Sequence, residues 1–411
     1  MPEFFNVLAP DQALQTLLTR LQTRVEAETI PTHQAWGRVT AAAICAPEHL
    51  PAFPRSTMDG YAVRAGDTFG ASESLPAYLE VVGEVPMGQA PTMTLTVGQA
   101  AVAYTGGMLA NGADAVVMVE NTQAIDATSI EVFRPVAPGE NVVQVGEDVR
   151  AGEHILPAGH LMRPQDIGGL VALGITQIMV RRRPRVAIVS TGDEIVSSDD
   201  IPGPGQIRDI NTYTIAALVQ QAGGVPFPMG VFKDDYDAQR QAAIQGLLQA
   251  DVLVFSAGSS VSSRDMTVQV LNSLGAPGVL VHGLAHRPGK PTIIALVEGK
   301  PAFGLPGNPV SAMIVFGILV QPTLYALTGC TQPPQPSMVR ARLTKNIPSM
   351  PGREDHVQVR LLHTDGELQA EPVFGKSNLI YTLIRANGVV VVPLDKGGLY
   401  AGEEVLVRTY D

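Results

Sequence analysis

Between residues 185 and 258 the chain alternates apolar runs with amphipathic stretches. RVAIVST (185–191) and DVLVFSAG (251–258) are short continuous apolar runs of the type buried on both faces of a parallel sheet, and VPFPMGVF (225–232) lies between them. NTYTIAALVQQAGG (211–224) sets Ile215, Leu218, Val219 and Ala222 on one helical face and ends at a glycine stop. YDAQRQAAIQGLLQA (236–250) repeats that spacing with Ile244, Leu247 and Leu248. Strands alternating with helices predict a doubly wound, mainly parallel open sheet, with a ligand beyond the carboxyl ends of its strands.

On either side the period changes. Ala13, Leu14, Leu17, Leu18 and Leu21 predict a helix over 11–27, and Pro164 and Gly174 bracket a second over 164–174. Between about 55 and 145 short β-type runs, YLEVVGEV (78–85) and ADAVVMVE (113–120), are separated by Gly and Pro, as in a small β-rich module set into a helical frame. After PPQP (333–336) the helical signal stops. HVQVRLL (356–362) and ELQAEPVF (367–374) flank Asp365-Gly366, a two-residue hairpin signal, and VVVVPL (389–394) and EEVLVRTY (403–410) complete a small β-domain. The basic run RRRPR (181–185) reads as a solvated hinge ahead of the first sheet strand.

Composition narrows the function classes. With 45% hydrophobic and 16% charged residues over 411 positions, the chain can bury a sizeable core and is not disordered. Its formal charge of −11 argues against a general nucleic-acid binder or a polybasic membrane binder, while leaving small anions as ligands. Cys45 and Cys330, the only cysteines, read as two ordinary buried thiols in a reducing, cytoplasmic setting. MPEFFNVLAP has neither the basic nor the apolar segment of a secretory signal, and AMIVFGILV (312–320) is shorter than the ~18 residues of a membrane span. The eight histidines show no HExxH or HxH spacing, which gives a zinc site no support from sequence.

Three strand ends carry suggestive chemistry. STGDEI (190–195) brings Ser190, Thr191, Gly192 and two carboxylates to the crevice rim. SAGSSVSSRD (256–265) offers small residues that let backbone N–H groups approach an anion ahead of a helix. GLPGNPVSAM (304–313) is a proline-stiffened strand–loop–helix junction that resembles a phosphate cradle, but it lacks GxxxxGK[ST]. Arg287 and Lys290 sit on the Pro-fixed turn HRPGKP, Asp59 in a Met-Asp-Gly-Tyr turn, and Asp148 at the end of GED (146–148). No Ser/His/Asp or Cys/His arrangement recommends a covalent nucleophile. The implied chemistry is therefore positioning and electrostatics at an anion, with Mg²⁺ a suitable partner for carboxylates and phosphates.

In order along nearly the whole chain, PAFPRSTMDGYAV (51–63), AYTGGMLANGADAVV (103–117), GEDVRAG (146–152), STGDEI, GQIRDIN (205–211), SAGSSVSSRD, PGKP (288–291) and GLPGNPVSA resemble the molybdopterin molybdenumtransferases of the MoeA type, related to the C-terminal region of gephyrin. Ala257 and Ser262 stand where that family commonly has glycine. Val143, Gln144 and Val145 replace arginines, and Arg287 replaces a lysine with its charge kept.

The resemblance implies a homodimer of four-domain, α/β plus β subunits. These are a linking helical region (1–50 and 146–180), an inserted β-rich domain (51–145), a doubly wound α/β molybdopterin-binding domain (181–332) and a C-terminal small β-barrel-like domain (333–411). It implies that adenylylated molybdopterin and molybdate yield molybdenum cofactor and AMP with Mg²⁺. Asp59, Asp148, Glu194, Asp234 (with Asp235 as alternate), Asp265 and Lys290 are then expected in catalysis, with Glu194 and Asp265 on the metal. Ser190, Thr191, Gly192, Ser256, Gly258, Ser259, Ser260, Pro306, Gly307, Asn308 and Pro309 are expected to hold nucleotide and phosphates. Asp59, Thr105 and Asp148 would close the site from the partner subunit, and Arg353 and Ser377 would bind molybdate. The adenylyltransferase of the preceding step and the enzymes that receive the cofactor are the implied protein partners. The alternatives are an adenylyltransferase, a dimeric non-catalytic scaffold, and insertion of tungstate in place of molybdate.

Overall fold

The computed structural model describes residues 7–256, 261–364 and 366–410, with backbone alone for 261–264. By internal contacts the chain divides into two units. The larger comprises residues up to 42, 159–163 and from 178 onward; the smaller comprises 43–158 and 164–177.

At the centre of the larger unit is a six-stranded sheet. In spatial order its strands are Val225–Phe232, Arg185–Thr191, Val252–Ser256, Lys300–Leu305, Ile293–Val297 and Pro277–His282. The first four are parallel, and Ile293–Val297 runs against both its neighbours. Alternation along one strand shows why the sheet is covered on both sides. Val186 and Ile188 belong to a core built with the helices Pro10–Leu18, Asn211–Gln221 and Pro309–Val315, whereas Ala187 and Val189 pack on the opposite face with Ala242 and Ala243 of Tyr236–Gln249. The expected doubly wound, mainly parallel arrangement is thus present. Chain connections leave Arg185–Thr191 in one direction and Val252–Ser256 in the other, so the topological switch lies between these strand ends.

Several local expectations are corrected. The first helix stops at Leu18, not at 27, because Val25 donates its N–H to the Leu327 carbonyl at 3.0 Å and draws the chain into the strand Ala27–Pro31. The helix after Ser256 begins at Val261, so part of the expected serine-rich loop is helical backbone. The apolar run at 312–320 belongs to a 19-residue helical stretch, Pro309–Leu327, long and apolar enough to cross a membrane. Its Val315, Phe316, Leu319, Val320, Leu324 and Leu327 are buried in the sheet's core, which accounts for the hydropathy. A π-type turn over Phe316–Val320 precedes Pro322, whose missing N–H the widened ladder accommodates. Cys45 is exposed, while Cys330 is half-buried, and burial pushes its thiol pKa up.

The basic run is not a solvated hinge either. Arg181 donates to the Val25 carbonyl at 3.0 Å. Arg182 grips both Asp251 oxygens at 2.6 and 2.7 Å and also pairs with Glu26. Burial alone would raise the Asp251 pKa, but the Arg182 fork and the Arg185 N–H hold the carboxyl below its ordinary value. Because the folded carboxyl is depressed, its stabilisation is fully present above the unfolded value of about 3.9 and is lost as pH falls through the folded value. Arg182→Ala is expected to cost about 2–3 kcal/mol at neutral pH, less than a fully buried pair would, since Arg182 keeps 30% exposure. Urea denaturation at pH 7 and pH 3 checks this: the gap between the variant and the parent should narrow at the lower pH.

The C-terminal strands Met338–Leu343, Glu354–Thr364, Glu367–Pro372, Gly388–Val392 and Glu404–Thr409 close into a five-stranded barrel, because Gly388–Val392 pairs back onto Glu354–Thr364. Its interior holds Leu343, Val359, Ala370, Val390 and Val407. At the expected hairpin Thr364 lies opposite Glu367 and Gly366 takes φ +80°; Asp365 is outside the described residues. A further rung ties this barrel to the α/β portion: His286 and Arg287 pair in parallel with Glu354 and Asp355.

In the smaller unit a six-stranded sheet runs in the order Ala115–Met118, Gly60–Val63, Gln99–Ala103, Ala77–Glu84, Ser129–Val132 and Thr122–Ala124. Val63, Leu79, Val117, Ile130 and Val132 form its core.

Candidate active site

At the switch point three strand ends meet around one side chain. Ser190 lies in register with Ser256 on the neighbouring parallel strand, and both are buried. Asn211, opening the next helix, donates from Nδ2 to the Ser256 hydroxyl at 2.8 Å and to the Gly307 carbonyl at 2.7 Å. Thr191 Oγ1 and Asn211 Oδ1 are buried here without a hydrogen bond among the described residues. Asn211 was legible only as the last letter of GQIRDIN; its role as a tie between loops comes from the topology.

The rim of this crevice is acidic. Gly192 adopts φ +150°, a conformation that residues with a Cβ rarely take, so the turn that brings Glu194 to the rim favours glycine here. Asp234 donates its N–H to Asp193 Oδ1 at 3.4 Å, which adds Asp193 to the rim. The alternate, Asp235, is a helix cap that accepts from Ala238 N at 2.8 Å. Asp265 is half-buried in the helix Val261–Ser273. Gly258, Ser259 and Ser260, together with Ala257, lie outside the described residues, as does the Ser262 side chain.

A cavity of about 810 Å³ opens beside the same junction, and Lys290, Pro306, Asn308, Arg353 and Ser377 all line it. Its wall carries four basic side chains (Arg287, Lys290, Arg353 and Lys376) against one acid, Asp355, in a chain of net charge −11. Such a concave basic surface concentrates anions. Each wall has a local cause. Gly289 takes φ +117°, and a Cβ there would meet Val315 Cγ2 at 2.5 Å, so the PGKP turn requires its glycine. The Leu284 N–H and the Thr292 N–H both bond the Lys290 carbonyl, at 2.8 and 2.9 Å, so main-chain bonds brace the turn.

Pro309 occupies the first turn of its helix, where its missing N–H costs nothing, and Asn308 precedes it without capping. The Asn308 amide instead donates to the Ser377 hydroxyl at 2.9 Å, and Val310 N–H bonds the Ser377 carbonyl at 3.2 Å. The expected phosphate cradle therefore has one of its amides already engaged. Arg353 Nε lies 2.8 Å from the buried Asp355, with its Nη2 donating at 3.2 Å, so the guanidinium is fixed in place.

Beside this cavity, with His286 and His356 in its lining, the fold assembles a group that sequence spacing did not reveal: His286, Glu354 and His356. No HExxH or HxH spacing could announce this group, since residues 70 positions apart meet only through the parallel rung at His286. Burial, with His356 beside it, holds the His286 pKa down at about 3, so the ring is neutral at physiological pH.

In the smaller unit Asp59 Oδ1 accepts from the Thr105 N–H at 2.8 Å and from its hydroxyl at 3.0 Å. These two bonds hold the Asp59 carboxyl below its ordinary pKa, so it stays ionised. Asp148 is exposed, on a turn where its N–H bonds the Leu50 carbonyl at 3.1 Å.

A doubly wound sheet with hydroxyl-lined strand ends, joined to a closed barrel around a basic cavity, defines a multidomain binder of small anionic ligands. Residues 8–174 match the MoeA N-terminal region (domain I and II), 187–326 a probable molybdopterin binding domain, and 340–410 the MoeA C-terminal region (domain IV). The chain is 35% identical over 396 residues to a molybdopterin molybdenumtransferase of Nostoc sp., spanning 95% of this chain and 90% of that one. It is 32% identical over 401 residues to one of Bacillus subtilis, at 97% and 93% coverage. The crystal structure of a molybdopterin biosynthesis MoeA protein from Pyrococcus horikoshii OT3 superposes with a TM-score of 0.85 at 32% identity, covering 98% of this chain and all of the other. The chain belongs to the MoeA family.

Proposed function

We propose that this chain is a molybdopterin molybdenumtransferase of molybdenum cofactor biosynthesis, joining molybdate to adenylylated molybdopterin with release of AMP. One observation carries the reading: the Pro306-Gly307-Asn308 loop is shared by two anion-suited sites. Its Gly307 carbonyl is tied through Asn211 to the hydroxyl-lined crevice, and its Asn308 amide is tied to Ser377 in the basic cavity. Dithiolene capture of a tetrahedral dianion has to be coupled to cleavage of a phosphoanhydride, so phosphate and oxyanion must be held side by side.

In this reading Ser190, Thr191, Gly192 and Ser256, with the loop at 257–260, receive the nucleotide end. Lys290, Asn308, Arg353 and Ser377 orient the oxyanion by charge and hydrogen bonding. Glu194 and Asp265 would hold Mg²⁺, since each offers carboxylate oxygens, the hard donors that ion prefers. Bound there, it neutralises phosphate charge. Asp59, Thr105 and Asp148 act from the second subunit of a homodimer, and the reaction belongs to the cytoplasm.

The test supplies purified protein with adenylylated molybdopterin, Mg²⁺ and molybdate and follows AMP. Molybdate-dependent AMP release is expected; none would reject the reading, and AMP without metal incorporation would make the protein a hydrolase.

A further inference from the structure

Glu354 and His356 are two apart on one strand and therefore share a face, and the parallel rung sets His286 opposite Glu354 on that same face. One ligand atom from each residue lies within 4.8 Å of the other two. His286 and His356 are only 2% and 5% exposed, with Glu354 half-buried. Their rings meet edge to face at a centroid distance of 4.4 Å.

A purely structural role leaves this cluster incomplete. Glu354 Oε1 and His356 Nε2 satisfy each other at 2.6 Å. Nδ1 of His356 and both ring nitrogens of His286 are nevertheless buried with no well-formed hydrogen bond among the described residues, only the Pro288 carbonyl standing near the His286 ring. Buried polar atoms are rarely left so, and each one calls for a ligand or a reason. Two imidazoles and one carboxylate form a three-ligand set suited to a borderline cation such as zinc. Because His286 and His356 line the cavity, such an ion has an entry path and an open side. In tetrahedral zinc geometry ligand atoms stand roughly 3.3 Å apart, so metal binding would lengthen the Glu354–His356 contact and draw His286 inward.

We propose that His286, Glu354 and His356 form a binding site for one divalent cation of the zinc class, with its fourth position facing the basic cavity. Water or an anion oxygen completes the coordination there. Its two imidazoles are borderline donors, unlike the all-carboxylate pair Glu194 and Asp265, and its test does not depend on the proposed reaction.

The metal-stripped full chain is titrated with Co²⁺ alone, and then with Zn²⁺ as competitor. One equivalent of Co²⁺ per chain is expected, with the visible absorption of a four-coordinate ion, abolished by Zn²⁺. Proton NMR of the Co²⁺ form is expected to show shifted imidazole N–H signals from two histidines. His286→Gln, His356→Gln and Glu354→Gln should each weaken binding by at least about 100-fold, more than loss of a supporting group usually does. His363→Gln, on the exposed barrel hairpin, should leave binding unchanged. No saturable binding at one equivalent, fewer than two shifted imidazoles, or unaltered affinity in His286→Gln and His356→Gln would overturn the proposal. The NMR result reads the parent protein and so holds even if a buried variant fails to fold.

Discussion

Lys290→Ala is expected to slow molybdate-dependent AMP release by about 10²–10³-fold, the usual effect of removing one preorganised donor from a developing or bound oxyanion. The reason the loss should be local is that the turn around Lys290 is built from main chain. Its carbonyl accepts from Leu284 and Thr292, and the Thr292 hydroxyl bonds the Gly289 carbonyl at 2.7 Å. The exposed side chain carries its charge at the cavity wall. Lys290→Arg keeps that charge but replaces a compact ammonium with a planar fork, so partial recovery is expected. Steady-state rates measured beside a thermal melt test the assignment. An unchanged rate in Lys290→Ala would remove this residue from the site and leave family membership untouched.

Gly60→Ala is expected to be the most damaging small substitution, destabilising the smaller unit by more than about 3 kcal/mol. An ideal Cβ at Gly60 falls 1.9 Å from the Val117 carbonyl oxygen and 3.1 Å from the Met118 Cα. The obstacle is backbone, and Gly60–Val63 is held antiparallel on both sides, by Gln99–Ala103 and by Ala115–Met118, so neither neighbour can step aside without breaking its ladder. The consequence reaches the candidate site, because Asp59 immediately precedes this glycine and is bonded to Thr105, just beyond the partner strand. Circular dichroism melts check the prediction; a midpoint within about 2 °C of the parent would refute it.

Where one face or both faces of an element are buried, its period was readable. Arg185–Thr191, Asn211–Gln221 and Val225–Phe232 fall where the apolar pattern puts them; Tyr236–Gln249 does too, but it buries Ala242, Ala243 and Gly246, while Leu248 of the expected face is 72% exposed. The pattern overran at residues 19–27, where apolar spacing continues but a backbone bond from Val25 to Leu327 takes the chain out of the helix. It also misjudged Arg181 and Arg182, because a run of like charges conceals partners that arrive from Val25, Glu26 and Asp251.

The candidate site divides in the same way. Motif letters pointed to Lys290 and Asn308 and the family resemblance to Arg353 and Ser377, and the structure brings all four to one cavity. Asn211, Asp193 and the His286–Glu354–His356 group depend on long-range pairing. No local spacing announces them, although GQIRDIN and STGDEI held the letters of Asn211 and Asp193.

The two-residue rung from His286–Arg287 to Glu354–Asp355 acts as a stitch between sheet and barrel. A hinge at this seam would strip Arg353 and Ser377 from Lys290 and Asn308 in one stroke, because the seam is also the pocket's wall.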